Sequence, residues 1–338
     1  MPDPVTHYAF AHRVISELKA DFCRQIHGPV FDRALQGPDP WSTIGFYGGG
    51  KKQYACRSGV MHKEHTGQFL SALACEAKAA PSPQLFSLLA GAICHYCLDR
   101  TAHPYIIAKG GDWDGTPATR HLRSGHVRLE RAIDSHFIRQ IWDKRPWHIS
   151  IPRKIMGLRA YPEVLRQPLN RVVQSVYGWE NAFDSLNAAL RDERLFYGLM
   201  QDPLGLVHYL LRPISGGRTN FCLYSYYRRE IDPAQLDYMN TSHTPWQHPF
   251  DSTLISTASF FDLLDRAEAD ARAMLQGVYA FVYEAAEVSL TDLFENSNYS
   301  TGFPVDDPRN QAHPHYASLS YGGTYWNEGL DPQLDQSK

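Results

Sequence analysis

The chain has 338 residues, 43% of them hydrophobic and 20% charged, and a formal net charge of -3. That length buries a substantial core, and the charge balance offers no basic face for duplex nucleic acid. No apolar run approaches the ~18 residues that span a bilayer. The start, MPDPVTHYAF, has no basic segment leading into a long apolar one, so the chain reads as cytoplasmic with no transmembrane segment.

Helical periodicity runs along the sequence. Residues 5–20 carry Val5, Phe10, Val14, Ile15 and Leu18 on one face, and a second helix is expected from about Lys63 to Ala79. A third runs from about Ser82, an N-cap before Pro83, to Arg100. Leu85, Leu88, Leu89, Ala92 and Ile93 mark that helix as buried. Leu129, Ile133, Phe137, Ile138 and Ile141 set another over Val127–Trp142, with further helices at about 161–176, 179–200 and 202–212. The longest stripe, from Phe260 to Val282, predicts helix over about 256–290.

Loops are expected at 37–59, 108–121, 213–221, 240–253 and from 296 onward, and alternating strand patterns are nearly absent. The fold class is therefore all-α, a multi-helix bundle over about residues 1–290. An irregular extension, 291–338, holds Phe303, Tyr316, Tyr321, Tyr325 and Trp326 and is expected to pack on the same domain. Six scattered cysteines, Cys94-x-x-Cys97 among them, fit reduced core thiols better than a disulfide framework.

The buried helix carries an anomaly. In HYCLDRTAHP, His95, Asp99 and His103 are four apart and share one face. Burying two imidazoles and a carboxylate is costly unless something pairs with them. His126 and Glu130 in HVRLE are again four apart, while His7 lies in the first helical turn, Asp39 in the loop GPDP and His62 after Met61. One His-x3-Asp or His-x3-Glu is commonly a surface pair. Five histidines and three acids together are the right stock for divalent metal, and facing helices are how bundle sites are built.

Two other stretches are decoys. Gly45–Lys52 nearly spells a phosphate-binding loop but has Lys52 where Ser or Thr must reach a metal, and no strand precedes it. The aromatic, basic run at 220–230 is explained by a helix with a buried aromatic face.

T-H near the start, G-P-D-P, M-H, H-Y-x-x-D-R-x-x-H-P and H-x-x-x-E, in that order, resemble the zinc-dependent phospholipase C family, in particular its shorter, signal-less bacterial members. The later N-T-S-H-T-P-W-Q-H-P at 240–249, leading into a long helix, is similar to the family as well. The resemblance implies an all-α hydrolase with two or three zinc ions, acting on a phospholipid or a small phosphodiester; His-carboxylate sets also accept iron. Carried over by position, Asp39, His62, His95 and Asp99 correspond to ligands of a first zinc, and His103, His126 and Glu130 to those of a second. His7, with Asp99 as a bridge and the N-terminal amine or Asp3, corresponds to a third.

Asp39 is the expected proton acceptor from the attacking water, and Arg100 or Arg123 could offset developing charge. Arg123, Asn240 and Trp246 are the expected substrate contacts. The same metal chemistry would also serve a single-strand nuclease, a phosphomonoesterase or an enzyme acting on another small molecule.

Overall fold

A computed structural model of the chain describes residues 4–46, 51–112, 119, 122–206, 210 and 237–315. In chain order, α1 (Pro4–Ser16), α2 (Ala20–Arg24), α3 (Gly28–Ala34), α4 (Pro40–Thr43), α5 (Cys56–Lys63) and α6 (Thr66–Ala79) lead into α7 (Pro83–Gly110). There follow α8 (Leu122–Trp142), α9 (Ile151–Lys154), α10 (Arg166–Tyr177) and α11 (Ala182–Leu199). A hairpin of β1 (Trp246–His248) and β2 (Asp251–Ser256) precedes α12 (Phe260–Tyr283) and α13 (Leu290–Phe294). The fold is mostly helical, as the periodicity predicts.

Helix α7 organises the rest. Its N-terminus is fixed by the Ser82 hydroxyl, which accepts from the Leu85 N–H at 3.1 Å, with Pro83 pre-set for the first turn. Apolar residues cover it on every side, and a helix of that kind must be enclosed. It packs against α12, α3, α8, α1 and α6.

The expectation ended this helix near Arg100, but it continues through Pro104 to Gly110. Pro104 has no N–H, so the Arg100 carbonyl loses its helical partner there. Gly302, at φ +72°, approaches that carbonyl so closely that a Cβ would lie 2.6 Å from its oxygen. The interruption is thus covered by a distant stretch of chain, and the helix runs on.

Other differences are local. The helix expected over Lys63–Ala79 is α6, which begins at Thr66 after His65 takes a left-handed conformation at φ 55°, and α5 (Cys56–Lys63) starts within the segment 37–59 that was expected as loop. The segment 240–253, expected as loop, contains β1 and part of β2, which pair antiparallel with Trp246 opposite Ser256. It escaped notice because β1 has three residues and β2 is largely exposed, so no alternation of burial marks it.

Helix α12 begins later than expected, at a reciprocal cap in which Ser259 and Asp262 exchange side-chain and backbone bonds. The helix expected at 202–212 and the aromatics Tyr316, Tyr321, Tyr325 and Trp326 fall largely or wholly outside the described residues. Among the described residues, no helix is long and apolar enough to cross a membrane.

Candidate metal centre

Five parts of the chain deliver the eight predicted ligands. Helix α7 contributes His95, Asp99 and His103, and α8 contributes His126 and Glu130. Helix α1 contributes His7, whose first turn is anchored by the buried Asp134 of α8. The Asp134 carboxylate accepts from the Thr6 N–H and hydroxyl, both at 2.8 Å, and from the Val5 N–H at 3.3 Å. Asp39 precedes α4 and His62 lies near the end of α5. The turn that carries Asp39 inward needs Gly37: at φ +49°, a Cβ there would lie 2.4 Å from the His95 ring.

These side chains converge as three groups whose ligand atoms lie within 4.8 Å of one another: His7, His95 and Asp99; Asp39, His62 and His95; and His103, His126 and Glu130. The first two share His95 and are joined by Asp99. One Asp99 oxygen lies 3.3 Å from His7 Nε2; the other lies 3.2 Å from His95 Nε2, 3.5 Å from His62 Nε2 and 4.0 Å from His103 Nδ1. Asp39 Oδ1 is 3.0 Å from His62 Nε2 and 3.9 Å from His95 Nε2. His126 Nε2 and Glu130 Oε1 are 3.1 Å apart.

The separations can be tested against a metal. Two ligands at about 2.0–2.1 Å from a tetrahedral zinc stand roughly 3.3 Å apart, close to most of these distances. Direct hydrogen bonding does not account for the inner group. His7 Nε2, His62 Nε2, His95 Nε2, Asp39 Oδ1 and both Asp99 oxygens are buried without a hydrogen-bond partner, although they lie near enough to one another for their distances alone to permit one. Their directions miss one another. A folded protein rarely leaves so many adjacent polar atoms unsatisfied. The donor set of imidazole and carboxylate fits a divalent transition metal.

The outward nitrogens reinforce this. His62 Nδ1 donates to the Ser58 carbonyl at 2.6 Å, His95 Nδ1 to Leu35 at 3.0 Å and His126 Nδ1 to Gly111 at 2.8 Å. A carbonyl can only accept, so each of these bonds fixes a proton on Nδ1 and leaves Nε2 to carry a lone pair inward when the ring is neutral.

Charge is concentrated here. Burial alone would raise the Asp99 carboxyl, but His95, His62 and His7 hold it well below its ordinary range. Burial would discharge His62, yet Asp39 and Asp99 beside it raise its proton affinity to about 9. His103 is pushed well below the ordinary imidazole range by burial.

His7, which the resemblance put with a third ion bridged by Asp99, lies 3.3 Å from Asp99 and stacks on the His95 ring, centroids 4.3 Å apart. Asp3 and the N-terminal amine lie outside the described residues. Arg100 is engaged elsewhere, pairing with Glu295 at 2.6 Å and Asp270 at 2.8 Å. Arg123 is an exposed residue near the start of α8.

Asn240 and Trp246 are core residues of the hairpin corner. The Asn240 amide donates to the carbonyls of Thr244, Thr257 and Ala258, and the Trp246 indole N–H donates to Ala258 at 3.0 Å while its ring meets Tyr105 edge-on.

Sequence reasoning missed Tyr299, whose ring packs 5.0 Å from His62 and 5.8 Å from His95, with its backbone N–H on the His62 carbonyl. It also missed the buried pair of Arg33 on α3 and Glu193 on α11, 2.5 Å apart, which ties α11 to the helix preceding the Asp39 turn. Neither has a local sequence signal. Comparison with protein-family models, with curated proteins and with solved structures finds no match for this chain.

Proposed function

We propose that this chain is a metal-dependent phosphoester hydrolase whose resident metal is zinc, two or three ions per chain. One observation carries the metal part: the inward imidazole nitrogens and carboxylate oxygens of His7, Asp39, His62, His95 and Asp99 are buried, mutually close and without hydrogen-bond partners. The phosphoester part rests on the order and spacing of the motifs that bear those residues.

Divalent ions in such a set activate water and clamp a phosphoryl oxygen. The chain's residues divide the remaining work. Asp39, with its side chain 11% exposed, is the most accessible ligand of the inner groups, whereas Asp99 and His95 are at 0%. Water and substrate therefore approach at Asp39, which takes the proton of the attacking water. Asp99 stays ionised and serves neighbours on both of its oxygens. The carbonyls of Leu35, Ser58 and Gly111 hold the imidazoles in register, so no reorientation is needed as charge develops.

The test is metal analysis of the purified, zinc-loaded chain alongside a screen of phosphomonoesters, phosphodiesters and phospholipids. Two or three zinc ions and turnover of a phosphodiester or phospholipid are expected. Less than one metal per chain, or a fully loaded protein inert to all three classes, overturns the reading.

A further inference from the structure

Helix α11 carries none of the eight candidate ligands, yet it holds the two short segments that present Asp39 and His62. Asp39 opens α4, which has four residues, and His62 lies in α5, which has eight. Helices so short do not hold their own conformation. Their two side chains nevertheless meet with Asp39 Oδ1 and His62 Nε2 at 3.0 Å. On the N-terminal side of Asp39, the Arg33 guanidinium donates through Nη2 to the Glu193 carboxylate at 2.5 Å and the Leu190 carbonyl at 3.2 Å. On the C-terminal side, the Gly45 N–H donates to the Asp192 carboxylate at 2.8 Å. Both acidic partners and Leu190 belong to α11.

The grips on α4 and α5 meet at one atom. The Ser185 hydroxyl, in the first turns of α11 and buried, donates to the Ala182 carbonyl at 3.0 Å. Its oxygen accepts from the Trp41 indole N–H of α4 at 3.4 Å and from Arg57 Nη1 of α5 at 2.8 Å. A hydroxyl has one proton and two lone pairs, and all three are engaged. Arg57 is itself immobilised. Its Nη2 donates to the Glu180 carbonyl at 3.1 Å, and its guanidinium lies over the rings of Tyr54 and Trp179 at 4.5 and 4.9 Å. Next along α5 is Ser58, whose carbonyl takes the Nδ1 proton of His62 at 2.6 Å. From Ser185 a run of fixed groups therefore leads through Arg57 and Ser58 to His62, and another through Trp41 to the helix that Asp39 opens.

We infer that Ser185 is a positioning residue for the metal pocket of Asp39, His62 and His95, its hydroxyl setting the separation of the first two ligands by tying α4 and α5 to one point of α11. Packing alone would be served by an alanine or a larger apolar side chain. The hydroxyl instead gives two neighbouring segments a common origin, and the direction of each bond fixes where its segment sits. Metal affinity is sensitive to such outer groups, whose loss typically costs about 10–100-fold. The inference rests on the metal part of the proposed function and requires no particular substrate.

The test is zinc affinity of the purified full chain, measured by competition with a chromophoric chelator. In Ser185→Ala one zinc ion per chain should bind at least tenfold more weakly, with the others unchanged. Ser185→Thr, which keeps the hydroxyl, should restore the affinity. Phe183→Leu cuts into the packing of the same helix without touching the hydroxyl. It should lower the denaturation midpoint and leave zinc affinity as it was, which separates positioning from general support of the fold.

Should Ser185→Ala fail to fold, Arg57→Met/Ser185→Ala carries the test. It removes donor and acceptor together and so leaves neither partner of that bond stranded in the core. The same tenfold loss is expected. Unchanged zinc affinity in the folded variant, or an equal loss in Phe183→Leu, overturns the inference while the metal centre stands. A wild-type chain that binds no zinc overturns the metal reading, and the role of Ser185 with it.

Discussion

Asp99 has no solvent contact and carries imidazoles at 3.2–4.0 Å around its two oxygens. An amide at this position would turn an N–H₂ group toward nitrogens or a cation, and removing one partner from a buried charge cluster is strongly unfavourable. Asp99→Asn is therefore expected to lose at least one zinc per chain by elemental analysis while keeping its helical circular dichroism. A full metal complement in the variant would remove Asp99 from the centre. Asp39→Asn tests a different property. It should lower turnover at least 100-fold while the group of His103, His126 and Glu130 keeps its ion. Near-normal turnover would show that Asp39 is not the base.

At this scale the sequence was most informative where partners share a helix. His95, Asp99 and His103, and likewise His126 and Glu130, declare themselves through a spacing of four. Asp39, His62 and His7 became candidates only through their order along the chain, because nothing local distinguishes a ligand aspartate from a turn aspartate. Tyr299 was out of reach: it meets His62 across 237 positions of sequence.

Among the elements, α7 shows how a local rule is overridden. Pro104 removes the helical bond to the Arg100 carbonyl, yet the helix continues to Gly110 with Gly302 packed against that carbonyl. Gly302→Ala is expected to destabilise the protein by about 1–3 kcal/mol, from a left-handed backbone and a close contact together, read as a lowered denaturation midpoint. A neutral result would mean the tail yields at that point. The apolar stripes of α7 and α12 were legible because burial repeats along them. The hairpin was not, since its partners are short and its outer strand is exposed, so its register rests on side-chain bonds such as those of Asn240 rather than on pattern.

For the molecule as a whole, the centre joins α1, the Asp39 turn, α5, α7 and α8, so a bound metal adds its binding free energy to folding. Metal binding must also displace protons. His62 holds one up to about pH 9 without metal, so apparent zinc affinity should rise about tenfold per unit between pH 7 and 8.5. Competition with a chromophoric chelator measures this, and a flat profile would count against His62 as a ligand. The sign for the metal-free fold is opposite. A raised histidine pKa stabilises fully below the ordinary value of 6.5 and loses that contribution as pH climbs through about 9. Zinc should thus protect the fold most at mildly alkaline pH.

The separation of Tyr299 from the ligands it covers also sets a timetable. The last candidate ligand, Glu130, leaves the ribosome some 170 residues before Tyr299, on the order of 10–30 s at ordinary rates of synthesis. During that interval the nascent chain holds every ligand without the aromatic wall that later packs on His62 and His95. On the proposed metal centre, that interval is when acquisition is expected to be easiest. A chelator present during cell-free translation should leave the product metal-poor, whereas the same chelator added after completion should strip the ion slowly. Equal susceptibility at both times would mean that the finished wall does not restrict exchange.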